Sequence, residues 1–191
     1  IGGKMVNAFL IARKAKSKMI PFGLSDIPRT LLSTNEEKNQ TFINEINLAG
    51  EILDFSNDKK VNLIFPEDYK CVDAFKAPTF FVESEPDFEK VLQLDLGPKT
   101  IENFKNTILS DGVENVFWNG PLGAYDHPNN NDYAEGSLEL AQLLFEEALT
   151  NQNFSAVIGG GDSAAILNKI GANQLKNLIK RCIEKQLAGP I

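Results

Sequence analysis

Three short apolar runs in this chain each stop at glycine or proline, and a helical pattern follows each of them. The runs are Val61 to Phe65 before PED, Val113 to Phe117 before WNGPLG, and Ala156 to Ile158 before GGGD. Repeated strand-then-helix units are typical of a parallel sheet covered by helices. The sequence therefore predicts an α/β fold, a three-layer sandwich with a Rossmann-like, mostly parallel central sheet.

Apolar spacing predicts helices between these runs. Tyr133 to Leu149 has the i, i+3, i+4, i+7 spacing of a helix that packs by one face, through Ala141, Leu144, Phe145 and Ala148. Lys99 to Leu109 and Gln174 to Gln186 are predicted to be further helices. Ser17 to Gln40 mixes proline, glycine, serine and charge and is predicted to be a surface excursion, and Pro128 to Asn131 a loop.

Length and charge limit the classes of function. A chain of 191 residues suits a single domain spanning 1–191. The formal net charge of -7 argues against general binding to nucleic acid or anionic membranes. No apolar run approaches the roughly 18 residues of a membrane span, and the N-terminus lacks a secretion signal. We expect a cytoplasmic protein, and because the chain starts without Met, inside IGGKM, we expect a fragment of something longer.

The two cysteines, Cys71 and Cys182, lie far apart in the sequence and lack a CxxC or histidine pairing. They are interpreted as reduced thiols, with one disulfide as the open alternative.

The segment AVIGGGDSAA, Ala156 to Ala165, has the shape of a phosphate cradle. Glycines let backbone N–H groups approach an anion, and the following helix N-terminus adds a favourable dipole. Asp162 has the wrong charge for this role alone. A metal ion between the carboxylate and the phosphates removes the conflict, so the segment predicts a site for a metal-bound nucleotide.

Each loop also has a ligand-free interpretation. GGGD can be a tight strand-to-helix turn, and WNGPLG can be a turn with Trp118 in the core and Asn119 hydrogen-bonded to its own backbone. In open parallel sheets, ligands bind where loops converge outside the C-terminal strand ends. All three loops are predicted to occupy that position, which favours a ligand site over separate turns.

Other classes of site fit less well. The phosphate-loop string G-x-x-x-x-G-K-[ST] does not occur. Gly159, Gly161 and Ala164 formally satisfy a dinucleotide fingerprint, but the acid expected roughly 20 residues further on, Glu184, falls in a helical pattern near the chain end. The only histidine, His127, stands beside Pro128 in a loop and is interpreted as a surface residue.

Four strings follow one another along the chain: LDLGPKTIENF (Leu94 to Phe104), VFWNGPLGAYD (Val116 to Asp126), YAEGSLELAQLL (Tyr133 to Leu144) and VIGGGDSAA (Val157 to Ala165). In their order and spacing they resemble the C-terminal, nucleotide-binding domain of the phosphoglycerate kinase family. IGGKMVNAFL resembles that domain's glycine-rich entry, and NEINLAGEIL resembles a later helix.

The resemblance implies a glycolytic kinase that transfers a phosphoryl group between 1,3-bisphosphoglycerate and ADP, or 3-phosphoglycerate and ATP in reverse, with magnesium. It also implies that the chain is one half of a two-domain, monomeric enzyme whose N-terminal domain, absent here, binds 3-phosphoglycerate. Phosphoryl transfer requires mainly positioning and charge neutralisation, which agrees with motifs made of backbone loops. We expect the chain alone to be inactive in transfer.

The resemblance also assigns nucleotide-binding roles to individual residues. Those expected to line the adenine and its rim are Gly2, Gly3, Leu94, Asn119, Pro121, Leu122 and Gly123. Asp126 stands where the family usually has a ribose-binding Glu. Gly160, Gly161 and Ser163 are expected to hold phosphates, the two glycines as the catalytic main-chain donors, and Asp162 to hold magnesium through the nucleotide.

The sequence departs from the family pattern in three respects. Gln93 stands where the family has glycine, the segment after Lys14 is longer than usual, and no second glycine-rich segment of the type STGGGAS precedes the C-terminal IEKQLAG. Of these, Gln93 and the missing glycine-rich segment support a second hypothesis. Losing one such donor group typically costs about 3 to 4 kcal/mol of transition-state stabilisation. The alternative is therefore a catalytically inactive nucleotide- or partner-binding domain derived from the family.

Overall fold

The computed structural model describes residues 1–18, 27–73, 76–83, 87, 90–126, 131–167 and 180. The chain divides into two compact units, Ile1–Gly97 and Pro98–Ile191. The prediction of a single nucleotide-binding domain over 1–191 stays a prediction.

Where the structure describes it, the first unit combines two helices with a three-stranded sheet. A short 3-10 turn, Gly3–Met5, leads into the first helix, and another lies at Arg29–Leu31. The helices are α1 (Val6–Lys18) and α2 (Glu36–Lys59), and the strands are β1 (Asp68–Asp73), β2 (Lys76–Glu83) and β3 (Val91–Leu96).

Helix α2 is defined by signals at both ends. The Asn35 side chain accepts hydrogen bonds from the backbone N–H groups of Glu37 and Lys38, at 2.8 and 3.2 Å. Lys60 ends the helix in the left-handed conformation, at φ 55°. The apolar face packs on α1, where Ile46 meets the buried cluster that includes Phe9.

The sheet of the first unit is antiparallel in the order β2-β1-β3. On the central strand, Tyr69 and Cys71 point to one face and are fully buried against Val6 and Leu10 of α1. Burial raises the pKa of the Cys71 thiol to about 11. Cys71 is a free thiol, while Cys182 lies outside the described residues.

In its described residues up to 167, the second unit has a parallel strand pair and three helices. The elements are α3 (Pro98–Ile108), β4 (Asn115–Asn119), α4 (Glu135–Thr150), β5 (Ser155–Gly159) and α5 (Gly161–Leu167), with a 3-10 turn at Asn131–Ala134. Helix α4 buries Leu140, Ala141 and Leu144, and α3 is linked to it by the ion pair between Lys105 and Glu139.

Only one face of this parallel pair is covered in the described part of the chain. Trp118 is buried, whereas Phe117 and Val157, which are partners in the ladder, are 72% and 57% exposed. The α/β class is confirmed, and parallel pairing is found in part of the sheet structure. The three-layer, Rossmann-like arrangement therefore stays a prediction.

Most of the predicted elements in the second unit are confirmed. Strands β4 and β5 fall on the second and third apolar runs, and helices α3 and α4 fall on the predicted helical patterns. The predicted helix Gln174 to Gln186 lies outside the described residues apart from Lys180, which is helical. Of the predicted loop Pro128 to Asn131, only Asn131 is described, as the start of the 3-10 turn.

Two predictions for the first unit were wrong. Residues 61–65 form no strand, because Leu63 and Phe65 are covered by packing against the α1–α2 cluster and the first strand begins at Asp68. The predicted surface excursion, 17–40, was wrong at both ends, because residues 17 and 18 belong to α1 and the Asn35 cap starts α2 at Glu36, while residues 19–26 of it lie outside the described residues. No helix in the described part of the chain combines the length and the apolar character needed to span a membrane.

Candidate functional site

Two loops leave the same edge of the parallel strand pair. Because β4 and β5 run parallel and Asn119 pairs with Gly159 at their ends, the chain exits both strands side by side. We call residues 119–126 the β4 loop and residues 159–163 the β5 loop. Both loops turn at a glycine with positive φ, Gly120 at 100° and Gly160 at 87°. Other residues rarely adopt this backbone conformation, so glycine is required at both turns.

Hydrogen bonds fix the backbone of the β4 loop. The N–H of Gly120 donates to Ser163 Oγ at 2.8 Å, and its carbonyl accepts from Trp118 Nε1 at 2.6 Å. The N–H of Leu122 donates to Ser137 Oγ, on α4, at 2.9 Å. Both serines are fully buried. The β4 loop is thus held in one conformation by its own strand and by two helices, as a binding loop requires.

The β5 loop carries an exposed carboxylate that is held from the β4 loop. Asp162 lies in the first turn of α5, and its Oδ1 accepts a hydrogen bond from the Tyr125 hydroxyl at 3.0 Å. The hydrogen bond to Asp162 raises the pKa of Tyr125, with smaller contributions from burial and from the charges of Asp162 and Asp126. The two loops are therefore joined at two points, through Ser163 and through Asp162.

The space around the glycines of the β5 loop differs between neighbours. A side-chain carbon added at Gly160 would lie 2.8 Å from Asn119 Oδ1. One added at Gly161 would have no neighbour within 4 Å. The surface over Gly161 is therefore open, beside the N-terminal end of α5, where an approaching group meets backbone and the side chain of Asp162.

The predicted site residues fall into two sets. The larger set, which the structure brings together on the β4 and β5 loops, comprises Asn119, Pro121, Leu122, Gly123, Asp126, Gly160, Gly161, Asp162 and Ser163. Leu122 is buried, whereas Asp126 and Asp162 are exposed. The smaller set, Gly2, Gly3 and Leu94, belongs to the first unit. There Gly2 is extended, Gly3 is buried with φ 63°, and Leu94 lies half-buried on β3.

The LDLGP string owes its glycine to a close approach within the first unit. The N–H of Gly97 donates to the Asp68 carbonyl at 3.0 Å, and a side-chain carbon on Gly97 would overlap the buried Asp68 carboxylate. Gln93, which stands where the family pattern has glycine, lies on β3. Its Oε1 is buried and accepts no hydrogen bond from the described part of the chain.

Sequence reasoning missed two residues that shape the site. Ser137 and Tyr125 occur in the sequence analysis only as letters of the strings YAEGSLELAQLL and VFWNGPLGAYD. Their partners are 15 and 37 residues away along the chain, at Leu122 and Asp162. The position of Tyr125 inside a glycine-rich loop was the one available signal, since a phenol there has a hydroxyl to donate.

The donor groups suit a cation that is bound mainly by phosphates. Within the described ranges, no three His, Cys, Asp or Glu side chains are grouped to hold a metal ion. Magnesium in nucleotide sites usually needs only one or two protein carboxylates besides substrate phosphates and water. Asp162 is exposed, and the Tyr125 hydroxyl engages Oδ1, one of its two oxygens. The single carboxylate therefore fits a magnesium–nucleotide complex, and not an all-protein metal site.

The same order of motifs and loops is found in a known family. The sequence profile of phosphoglycerate kinase matches residues 1–179 of the chain. The chain belongs to the phosphoglycerate kinase family. Phosphoglycerate kinase of Oenococcus oeni is 39% identical over 130 residues, which cover 66% of this chain and 29% of that protein. Phosphoglycerate kinase of Levilactobacillus brevis is 35% identical over 182 residues, which cover 93% of this chain and 37% of that protein.

A solved structure agrees with the fold. Phosphoglycerate kinase from Coxiella burnetii superimposes with a TM-score of 0.62 at 20% identity, over 92% of this chain and 38% of that one. At this identity the likeness concerns the fold alone. The chain thus spans between 29% and 37% of the length of the two phosphoglycerate kinases compared above, so it corresponds to part of such an enzyme.

Proposed function

We propose that this chain is the nucleotide-binding part of a glycolytic phosphoglycerate kinase, the C-terminal half of a two-domain, monomeric, cytoplasmic enzyme. The observation that carries the proposal is the pair of joined loops at one edge of the parallel strands. Family membership supplies the reaction, phosphoryl transfer between 1,3-bisphosphoglycerate and ADP. The domain that binds 3-phosphoglycerate is then supplied by the remainder of the enzyme.

In the proposed site, the chain's own residues position the nucleotide. The main-chain N–H groups of Gly160 and Gly161, at the start of α5, donate to phosphate oxygens, and the absence of side chains lets the phosphates approach. Magnesium, when bound with the nucleotide, neutralises phosphate charge, and Asp162 is the carboxylate that holds it. Ser163 supports the phosphate cradle indirectly, because its hydroxyl accepts a hydrogen bond from the N–H of Gly120 in the β4 loop.

The rest of the nucleotide is assigned by likeness to the family. Asn119, Pro121, Leu122 and Gly123 form the rim of the base site, and Asp126 hydrogen-bonds the ribose. Asp126 is exposed, so its carboxylate is accessible to a sugar hydroxyl. The adenine roles of Gly2, Gly3 and Leu94 rest on the family pattern alone.

Stabilisation by ligand tests the proposal directly. Binding to the folded state raises stability by about RT ln(1 + [L]/Kd), so millimolar Mg-ADP should raise the melting temperature of the purified chain. Magnesium alone and ADP with a chelator serve as controls, because the proposal expects the full shift only from the complex. A melting curve that Mg-ADP leaves unchanged would contradict the proposal.

The second candidate is an inactive nucleotide- or partner-binding domain derived from the family. Two sequence features favour it: the missing second glycine-rich segment, and Gln93 in place of glycine. The protein encoded by the full reading frame should be assayed for ATP formation from ADP and 1,3-bisphosphoglycerate. Transfer supports the kinase, whereas Mg-ADP binding without transfer supports the inactive domain.

A further inference from the structure

Tyr125 and Asp162 form a side-chain contact between the β4 loop and the β5 loop. The phenol and the carboxylate are joined by a 3.0 Å hydrogen bond in an exposed position. An exposed interaction of this kind contributes little to folding. Its cost in side-chain freedom is nevertheless real, since both side chains are held in one rotamer.

The backbone on both sides of the contact is already fixed. The N–H of Tyr125 donates to the carbonyl of Gly123 at 2.9 Å, which closes a three-residue turn. Beside Asp162, Ser163 is fully buried and accepts the N–H of Gly120. The hydroxyl and the carboxylate are therefore presented to each other by two rigid loops.

We propose that Tyr125 is a positioning residue that holds the Asp162 carboxylate ready for the cation of a metal–nucleotide complex. This inference rests on the proposed function. With Oδ1 occupied by the phenol, the carboxylate keeps one orientation and presents its other oxygen, Oδ2, as a single ligand. Without the hydroxyl, Asp162 must lose its rotamer freedom when the cation binds, and the affinity falls accordingly.

The test compares the effect of magnesium on ADP affinity in matched variants. Isothermal titration of ADP into wild type, Tyr125→Phe, Asp162→Asn and the double variant is performed with millimolar magnesium and again with a chelator. The magnesium enhancement is the ratio of the two dissociation constants. Tyr125→Phe keeps the ring and removes only the hydroxyl. It should therefore lower the magnesium enhancement about 2- to 10-fold and leave the ADP affinity measured with chelator unchanged.

The double variant separates positioning from an independent effect. If Tyr125 acts through Asp162, the double variant should show the same enhancement as Asp162→Asn alone. Tyr69→Phe is the matched control, because it also removes only a hydroxyl, the one that donates to the Pro66 carbonyl in the first unit. The control should retain the wild-type enhancement. If the role of Tyr125 were merely structural, Tyr125→Phe would lower the urea midpoint, and it would weaken ADP binding as much with chelator as with magnesium.

The outcomes distinguish this inference from the function on which it rests. A wild-type chain without magnesium enhancement overturns both. A wild-type enhancement that Tyr125→Phe retains in full, or exceeds, overturns the positioning role and leaves the nucleotide site standing. Additive losses in the double variant likewise overturn it, because Tyr125 would then act independently of Asp162.

Discussion

Alanine at Gly160 should destabilise the chain, whereas alanine at the adjacent Gly161 should not. Gly160 has φ 87°, a conformation that costs an alanine about 1–2 kcal/mol. Its new side-chain carbon would also lie 2.8 Å from Asn119 Oδ1, but that exposed side chain can move, so the backbone dominates. Gly160→Ala should therefore lower the free energy of unfolding by about 1–2 kcal/mol.

Gly161→Ala is the matched control one residue later. Gly161 opens α5 without a positive φ, and nothing lies within 4 Å of the added carbon. Alanine in a helix is favoured over glycine by roughly 0.5–1 kcal/mol, so this variant should be as stable as wild type or more so. With a urea m-value of about 2 kcal/mol/M, the two variants should differ by about 1 M in midpoint.

The same pair of variants tests the phosphate cradle. Both added carbons occupy backbone surface at which the proposed phosphates bind, so both variants should bind Mg-ADP more weakly, including the stable Gly161→Ala. Equal urea midpoints for the two variants would refute the backbone argument. Wild-type ADP affinity in Gly161→Ala would refute the cradle while leaving the stability argument intact.

Three further predictions concern buried groups. Gly97→Ala should destabilise the chain by about 1–3 kcal/mol in urea unfolding, because the new carbon overlaps the buried Asp68 carboxylate; an unchanged midpoint would show that Asp68 can move aside. Ser137→Ala should cost about 1–3 kcal/mol, since it leaves a buried loop N–H without its acceptor, and Ser137→Thr, which keeps a hydroxyl, is the comparison; equal midpoints for Ser137→Ala and wild type would contradict this. In a Cys182→Ser background, Cys71 should resist Ellman's reagent at pH 8 until urea is added, because burial raises its pKa to about 11 and keeps it protonated; rapid reaction of the folded chain would contradict the burial.

Local patterns predicted those elements whose signal lies within the element itself. The apolar run and turn glycines of GGGD predicted β5 and the start of α5, and the i, i+4 spacing of 133–149 predicted α4. In α4 the hydrophobic period coincides with the helical period, and β5 is a short apolar run that ends at glycines, so the sequence alone carries both signals. The ordered motifs also indicated the family, and the match of the phosphoglycerate kinase profile to residues 1–179 confirms it.

Tertiary packing decided the elements and contacts whose partners are distant in the sequence. The run Val61–Phe65 reads as a strand, yet Leu63 and Phe65 are covered by helices, and burial by either route satisfies an apolar run equally well. The hydrogen bonds of Tyr125 to Asp162 and of Leu122 to Ser137 join separate elements. No periodicity encodes such pairs, because their geometry exists only after the strands and helices have packed.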